Sequence, residues 1–405
     1  MNRGGSRKPR RVPRDKRYPD KAFSELVLSQ NQQPRLSHQF LTKEPDIHFM
    51  DEEPVEGVSL VRDFQLVRQM QVLLGNYVGA RIFEHTFFPA LWAIPLSMEN
   101  IHQVLSKTHF MMPKPCGPRF LLYIDSSGQT YLENMTQHFF LVDTDRAVQF
   151  ISTDGRATTD TVLDGIFTKD EKGGILTFFV CDAVRCNGVN LTKMNAFQRI
   201  AFVKENLMKP RLNAVEHQTI SIKNEVFNLD IVDCLDCNSA DFLDTEFEKE
   251  FKYPLRSLVF FPRNQEYVGG TCTNVLKWTE DENYECVFRI VIQKGSNGTD
   301  TAGLQAVGGP GNREIYFASI DMTDVIQQLD LRIVECRFVN GQWILVRIRN
   351  DRPHPHSRRA IINKLNMLEN PVTRETLRTA LDKSKERRGV TDLLFNCNTL
   401  ELYVP

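Results

Sequence analysis

The sequence predicts an α+β protein in which antiparallel sheets dominate and a small barrel follows a larger sheet-based domain. Two observations carry this. Short apolar runs broken by polar turns recur from residue 119 to 190 with little helical periodicity between them. Beyond Trp278 the runs at 284–292, 314–320, 332–339 and 342–348 are shorter and closely spaced, with a Gly-rich stretch at 294–313. Strands of that length and spacing are compatible with an OB-fold.

Taken in order, the chain opens on nine Lys/Arg residues between Arg3 and Lys21, followed at 44–56 by Glu44, Asp46, Asp51, Glu52, Glu53 and Glu56. Charge blocks without apolar periodicity read as a disordered tail over 1–55, either an arm for an acidic partner such as nucleic acid or a solvated tail. Apolar residues at 60, 61, 64, 67, 70 and 74 have helical spacing, with Gly75 as the stop. The proline-punctuated segment 87–97 reads as loop and edge. A short helix capped by Ser97 is expected to Lys107. Strands follow at 119–124, 129–132, 138–142, 148–152, 161–167 and 176–183, with Asn187-Gly188 as a turn. Helices are expected at 195–209 and, acidic, at 240–253; strands at 255–261 and 274–278 complete the domain. Helices at 356–368 and 374–387 follow the barrel strands. The expected division is a sheet domain over 56–280, a barrel domain over 281–390 and a terminal segment, 391–405.

Composition is ordinary for a folded protein, at 41% apolar and 25% charged with a net charge of −1. No apolar run approaches the ~18 residues of a membrane span, and the N-terminus lacks an apolar leader, so neither membrane nor secretion is expected. The nine scattered cysteines are expected as free thiols in a reducing compartment. Cys234 and Cys237 form a lone CxxC without a second pair, and no metal site is expected there.

The most informative stretch is Lys114-Pro115-Cys116-Gly117-Pro118-Arg119. It resembles motif I of the covalent nucleotidyltransferases, Lys-x-Asp-Gly-x-Arg. Further likenesses follow in order. Leu163-Asp164-Gly165 resembles motif III, Val180 to Gly188 motif IIIa, and Arg256 to Phe260 motif IV. Leu276-Lys277-Trp278-Thr279 resembles motif V, and Arg347-Ile348-Arg349-Asn350-Asp351-Arg352 motif VI. Over residues 85–380 the order resembles that of the eukaryotic mRNA capping guanylyltransferases. The resemblance implies a nucleotidyltransferase domain followed by an OB-fold domain. It implies GTP as substrate and Lys114 as the nucleophile that takes GMP and passes it to a diphosphate RNA 5′ end. It also implies Arg119, Asp164, Lys277, Arg347, Arg349, Asp351 and Arg352 as nucleotide- and phosphate-binding residues.

Several positions depart from the pattern: Cys116 and Ile166 stand for carboxylates, Arg256 and Ser257 for Asp-Gly, Thr279 for lysine and Cys181 for an aromatic. A thiol is a poor ligand for Mg²⁺, and each such loss typically costs about 2–4 kcal/mol of transition-state stabilisation. No metal ligand is therefore assigned, and Mg²⁺ or Mn²⁺ is expected only with an active enzyme. Arg256 would add positive charge where a metal carboxylate is expected. Two classes stay open: a capping enzyme of weakened activity, and a non-catalytic protein that binds a nucleotide, cap or RNA 5′ end or acts as a scaffold subunit. Lys114 itself reads as nucleophile, static phosphate-binding cation or solvent-facing residue. Arg347 and Arg349 alternate on one strand face, for phosphate or for a local acid. Expected partners are RNA, a separate RNA triphosphatase and the RNA polymerase II tail; the basic arm suggests the nucleus, with the cytoplasm open.

Overall fold

The computed structural model describes residues 47–50, 54–79, 88–153, 155–170, 174, 176–236, 243, 251–280, 285–295, 300–308, 313–349 and 354–388. The tails at 1–46 and 389–405, Asp351 and Arg352, and most of the acidic stretch 240–253 lie outside these residues.

Strand β1 (Val58–Leu60) precedes helix α1 (Phe64–Tyr77). The apolar spacing at 58–74 thus splits in two, because Asp63 accepts from the Gln65 and Leu66 amides and starts the helix there. Then come β2 (Leu91–Pro95), α2 (His102–Ser106), β3 (His109–Pro115), β4 (Arg119–Ile124), β5 (Thr130–Asn134) and β6 (Phe139–Val142). Helix α2 is shorter than the sequence suggests, since Ser97 and Asn100 close a turn ahead of it rather than capping it. Residues 148–152 form only an isolated bridge, Ile151 to Ala157. Strands β7 (Thr161–Thr168), β8 (Thr177–Cys186) and β9 (Val189–Asn190) lead to helix α3 (Ala196–Val203). A capping box between Asn195 and Gln198 starts α3; a π-turn over Lys204–Met208 then joins it to α4 (Lys209–Glu216). Four more strands complete this part: β10 (Asn228–Ile231), β11 (Leu235–Asp236), β12 (Leu255–Pro262) and β13 (Gly270–Trp278).

These strands make two sheets. One has the order β1-β6-β5-β4-β7-β8-β10, with β9 beside β8; the other runs β11-β3-β12-β13-β2. Pairing is antiparallel except at β8–β10 and β13–β2. Strand alternation gives each sheet an inner and an outer face. The inner faces share one core, in which Leu121, Val162 and Phe179 of the first sheet meet Met112, Val259 and Val275 of the second. The outer face of the first sheet packs Phe120, Phe167 and Phe178 against Val203 and Leu207.

The remaining strands, β14 (Glu285–Gln293), β15 (Thr301–Val307), β16 (Glu314–Ile320), β17 (Ile333–Val339) and β18 (Gln342–Ile348), form an antiparallel sheet ordered β16-β15-β14-β17-β18. Its edge strands β16 and β18 approach one another, and the short helix α5 (Asp324–Gln327) lies between β16 and β17 in sequence. This is the OB-type arrangement. Strand β15 lies inside the Gly-rich stretch that reads as loop: Ala302, Leu304 and Ala306 alternate into the barrel core, but they are small and the signal is weak. Helices α6 (Arg358–Glu369) and α7 (Arg374–Arg388) return to the first part of the chain. There Trp278 donates its indole N–H to the Val372 carbonyl at 2.7 Å, and Leu377 and Leu381 join Leu96, Met111 and Phe260.

Candidate functional site

The motif I stretch crosses from the second sheet to the first. Lys114 is the penultimate residue of β3, and Arg119 opens β4. Between them the chain turns tightly, with the Cys116 amide donating to the Pro254 carbonyl at 2.7 Å. Gly117 has φ +141°, and a Cβ there would lie 1.8 Å from the Phe167 carbonyl oxygen. Only glycine fits this approach.

Alternation along β3, β12 and β13 decides what lies beside Lys114. Met112 and Val259 belong to the core between the sheets, so Lys114, Ser257 and Lys277 share that inner face. Lys114 is paired in register with Ser257, and Lys277 with Val259. Arg256 sits at an irregularity of β12 between Leu255 and Ser257 and is exposed. Lys277 feels all of these charges. Burial first, then Lys114, Arg256, Lys364 and Arg119, push its ammonium down from 10.5 to about 8. No acid among the described residues pairs with Lys114, Arg256 or Lys277, although these three cations converge. Lys364 is engaged through the Glu285 carbonyl.

The carboxylates on the facing sheet are in the opposite condition. Asp164 and Asp182 stand directly opposite one another on β7 and β8, and both are buried. Like charges in that position repel. Each is taken by an arginine. Arg119 grips Asp164 through Nε at 2.7 Å and Nη2 at 2.5 Å, and also donates to the Leu91 carbonyl. Arg199, wholly buried on α3, holds Asp182 through Nε at 2.6 Å and Nη2 at 2.8 Å. Tyr267 joins the pairs: its hydroxyl donates to Asp164 at 3.0 Å, and its ring lies 5.4 Å from the Arg199 guanidinium. Burial alone would raise the Asp164 carboxyl, but Arg119, Lys114 and Tyr267 outweigh it and hold the group below its ordinary range. The neighbouring Cys181 thiol is pushed up to about 12, chiefly by burial, and is therefore no nucleophile.

The other positions expected from sequence are placed as follows. Phe88 is buried and Trp92 partly so, both against the Arg119 guanidinium at 5.8 and 5.6 Å. Arg347 and Arg349 both pair with Glu335 of β17, at 2.6 and 3.1 Å, so their shared face meets a local acid. Sequence reasoning missed Arg199, Tyr267 and Glu133. Arg199 had a signal, a cation inside the apolar stripe Ala196, Ile200 and Val203. Glu133 had none. It lies between Leu121 and Phe139, 1% exposed, with neither oxygen hydrogen-bonded, and desolvation raises its carboxyl well above the usual range.

The donor set does not suit a divalent metal. Asp164 and Asp182 spend their oxygens on arginines, Cys116 offers sulfur, and Arg256 offers charge of the wrong sign. Among the described residues, no three His, Cys, Asp or Glu side chains gather as a metal cluster.

Comparison with known proteins places the chain. The model of the mRNA capping enzyme catalytic domain matches residues 50–281, and that of the capping enzyme C-terminal domain matches 267–378. The chain belongs to the mRNA capping enzyme family. It is 24% identical to an mRNA-capping enzyme of Danio rerio, over 85% of this chain and 58% of the relative. It is 26% identical to one from Mus musculus, over 83% and 56%. An mRNA-capping enzyme subunit alpha of Yarrowia lipolytica is 24% identical, over 74% of this chain and 83% of the relative. The chain thus spans somewhat over half the length of the Danio rerio and Mus musculus relatives. Capping family membership supports the α+β, nucleotidyltransferase-plus-OB architecture. In general terms the family uses GTP, a divalent metal and RNA 5′ ends. No helix among the described residues is long and apolar enough to cross a membrane.

Proposed function

We propose that this capping-family chain binds GTP between its two sheets and forms a covalent GMP adduct on Lys114 at a low rate. In that reaction the Lys114 side chain, once it has given up its ammonium proton to solvent, attacks the α-phosphorus; a P–N bond forms, the bond to the departing pyrophosphate breaks and a second proton leaves the nitrogen. The GMP then passes to the terminal phosphate of a diphosphate RNA end. The observation that carries this reading is the convergence on Lys114 of two further cations, Arg256 and Lys277, with no acidic partner among the described residues. Cations held at a developing phosphate charge stabilise the transition state and need no rearrangement to do so. The rate is low because Asp164 and Asp182 are committed to Arg119 and Arg199.

That same commitment favours a second reading, in which the protein binds a nucleotide, cap or RNA 5′ end without turnover. A separate RNA triphosphatase subunit suits either reading, in keeping with the name of the Yarrowia lipolytica relative, a subunit alpha. The RNA polymerase II tail and a nuclear location complete the proposal.

Incubation with α-labelled GTP and Mg²⁺ or Mn²⁺, followed by denaturation, tests it. A faint labelled band that disappears in Lys114→Ala is the expected result. If no band forms while GTP or capped RNA still raises the melting temperature, the second reading stands. With neither band nor thermal shift, both fail.

A further inference from the structure

Resting on the reading of the Lys114 site as a polyphosphate site, we infer that it binds its ligand's phosphates without a divalent metal, with Arg256 as a built-in counter-cation. Arg256, Lys114 and Lys277 come from three adjacent strands, β12, β3 and β13, and the irregularity between Leu255 and Ser257 makes Arg256 the extra residue of β12 beside Lys114. The inner-face side chains beside them are neutral: Ser257, buried, and Val259. On the facing sheet Asp164 and Asp182 are each paired with an arginine, Arg119 and Arg199, which leaves only a weaker through-space pull of Asp164 on Lys114.

Three like charges gathered with no acidic partner among the described residues cost stability in the free protein, and the Lys277 ammonium, depressed first by burial and then by Lys114 and Arg256, registers part of that cost. A polyphosphate relieves it. Its oxygens accept charge-assisted hydrogen bonds from all three side chains, and Arg256 can meet two oxygens at once through its planar fork. A metal-bound polyphosphate carries less negative charge and would bring a dication towards Arg256. Metal should therefore leave binding unchanged or weaken it. The ligand class is a 5′-polyphosphate, and both GTP and a 5′-triphosphate RNA present it.

The test is equilibrium binding to the full chain, by fluorescence with a labelled GTP and, in a second arm, a labelled short 5′-triphosphate RNA. Each is run in EDTA and in excess Mg²⁺. The arm that binds identifies the source of the phosphate. The inference expects affinity in EDTA equal to or above that in Mg²⁺. Arg256→Ala should weaken EDTA binding by about 10- to 100-fold, the range for losing a charged hydrogen bond. Arg256→Lys should retain most of it. Arg256→Asp should abolish binding in EDTA. Because Arg256 is exposed, an unchanged melting temperature can certify that each variant folds. Binding that EDTA abolishes and Mg²⁺ restores would overturn the inference while leaving the site reading intact. EDTA binding that Arg256→Ala leaves unchanged would overturn Arg256's role. Failure of both ligands under both conditions would remove the site reading as well.

Discussion

Two groups of charges stand on facing sheets, and they differ in what they are bound to. On β7 and β8, Asp164 and Asp182 are each locked to a guanidinium by two hydrogen bonds and linked through Tyr267. On β3, β12 and β13, Lys114, Arg256 and Lys277 have no acidic partners among the described residues. The first group is satisfied by side chains of the protein itself; the second, among the described residues, is not matched by any acid. A satisfied buried network holds a fold in register. An unsatisfied cluster of like charge is stabilised by a ligand from outside. The comparison teaches that residues matching one motif pattern need not share one purpose: Arg119 and Asp164 are bound to each other, while Lys114 and Lys277 have no acidic partner among the described residues.

The largest effect is expected where the satisfied side is broken. Asp182→Ala leaves Arg199 charged, wholly buried and without its carboxylate, and should cost about 3–5 kcal/mol in denaturant unfolding. A loss under about 1 kcal/mol would mean that the two sides do not differ as described.

On the open side the sign reverses. Lys277→Met removes one of the mutually repelling cations and should raise stability at neutral pH, by roughly 1 kcal/mol after solvent screening. The pH dependence follows from the same residue. Its folded value, about 8, lies below the ordinary 10.5, so between these values the unfolded chain holds more protons. The contribution of Lys277 therefore makes stability rise as pH climbs from about 8 to 10.5, with the full cost present below about 8. Thermal melts of the wild type against Lys277→Met should diverge below that window and converge above it.

The smallest effect should come from Arg347→Ala. Arg347 is half exposed and shares Glu335 with the better-covered Arg349, so the loss should be about 0.5 kcal/mol. A loss of polyphosphate affinity in this variant, with stability unchanged, would instead add Arg347 to the open side.

Much of this was legible in the chain itself. Lys114, Arg119, Asp164, Lys277 and Arg347 fall in an order that resembles one family, and the alternation of apolar residues marks most strands. The helix at 64–77 was legible only in part, because the β1 strand shares its apolar spacing. Strand β15 was hidden by small residues, and Glu133 by its ordinary polar appearance in a strand.

What the sequence determined by itself was the set of chemical groups and the fold that carries them. Which of those groups are spent on one another was decided by the tertiary structure. Asp164 meets Arg119 across 45 residues and Tyr267 across 103, through strand register and sheet packing. Period-two alternation tells which face a side chain takes, but not which strand lies beside it. Local irregularities at Asp164/Gly165 and Leu255/Ser257 shift that register by amounts no spacing rule reveals. Only the assembled sheets show Lys114, Arg256 and Lys277 gathered on one side, opposite two aspartates that are each held by an arginine.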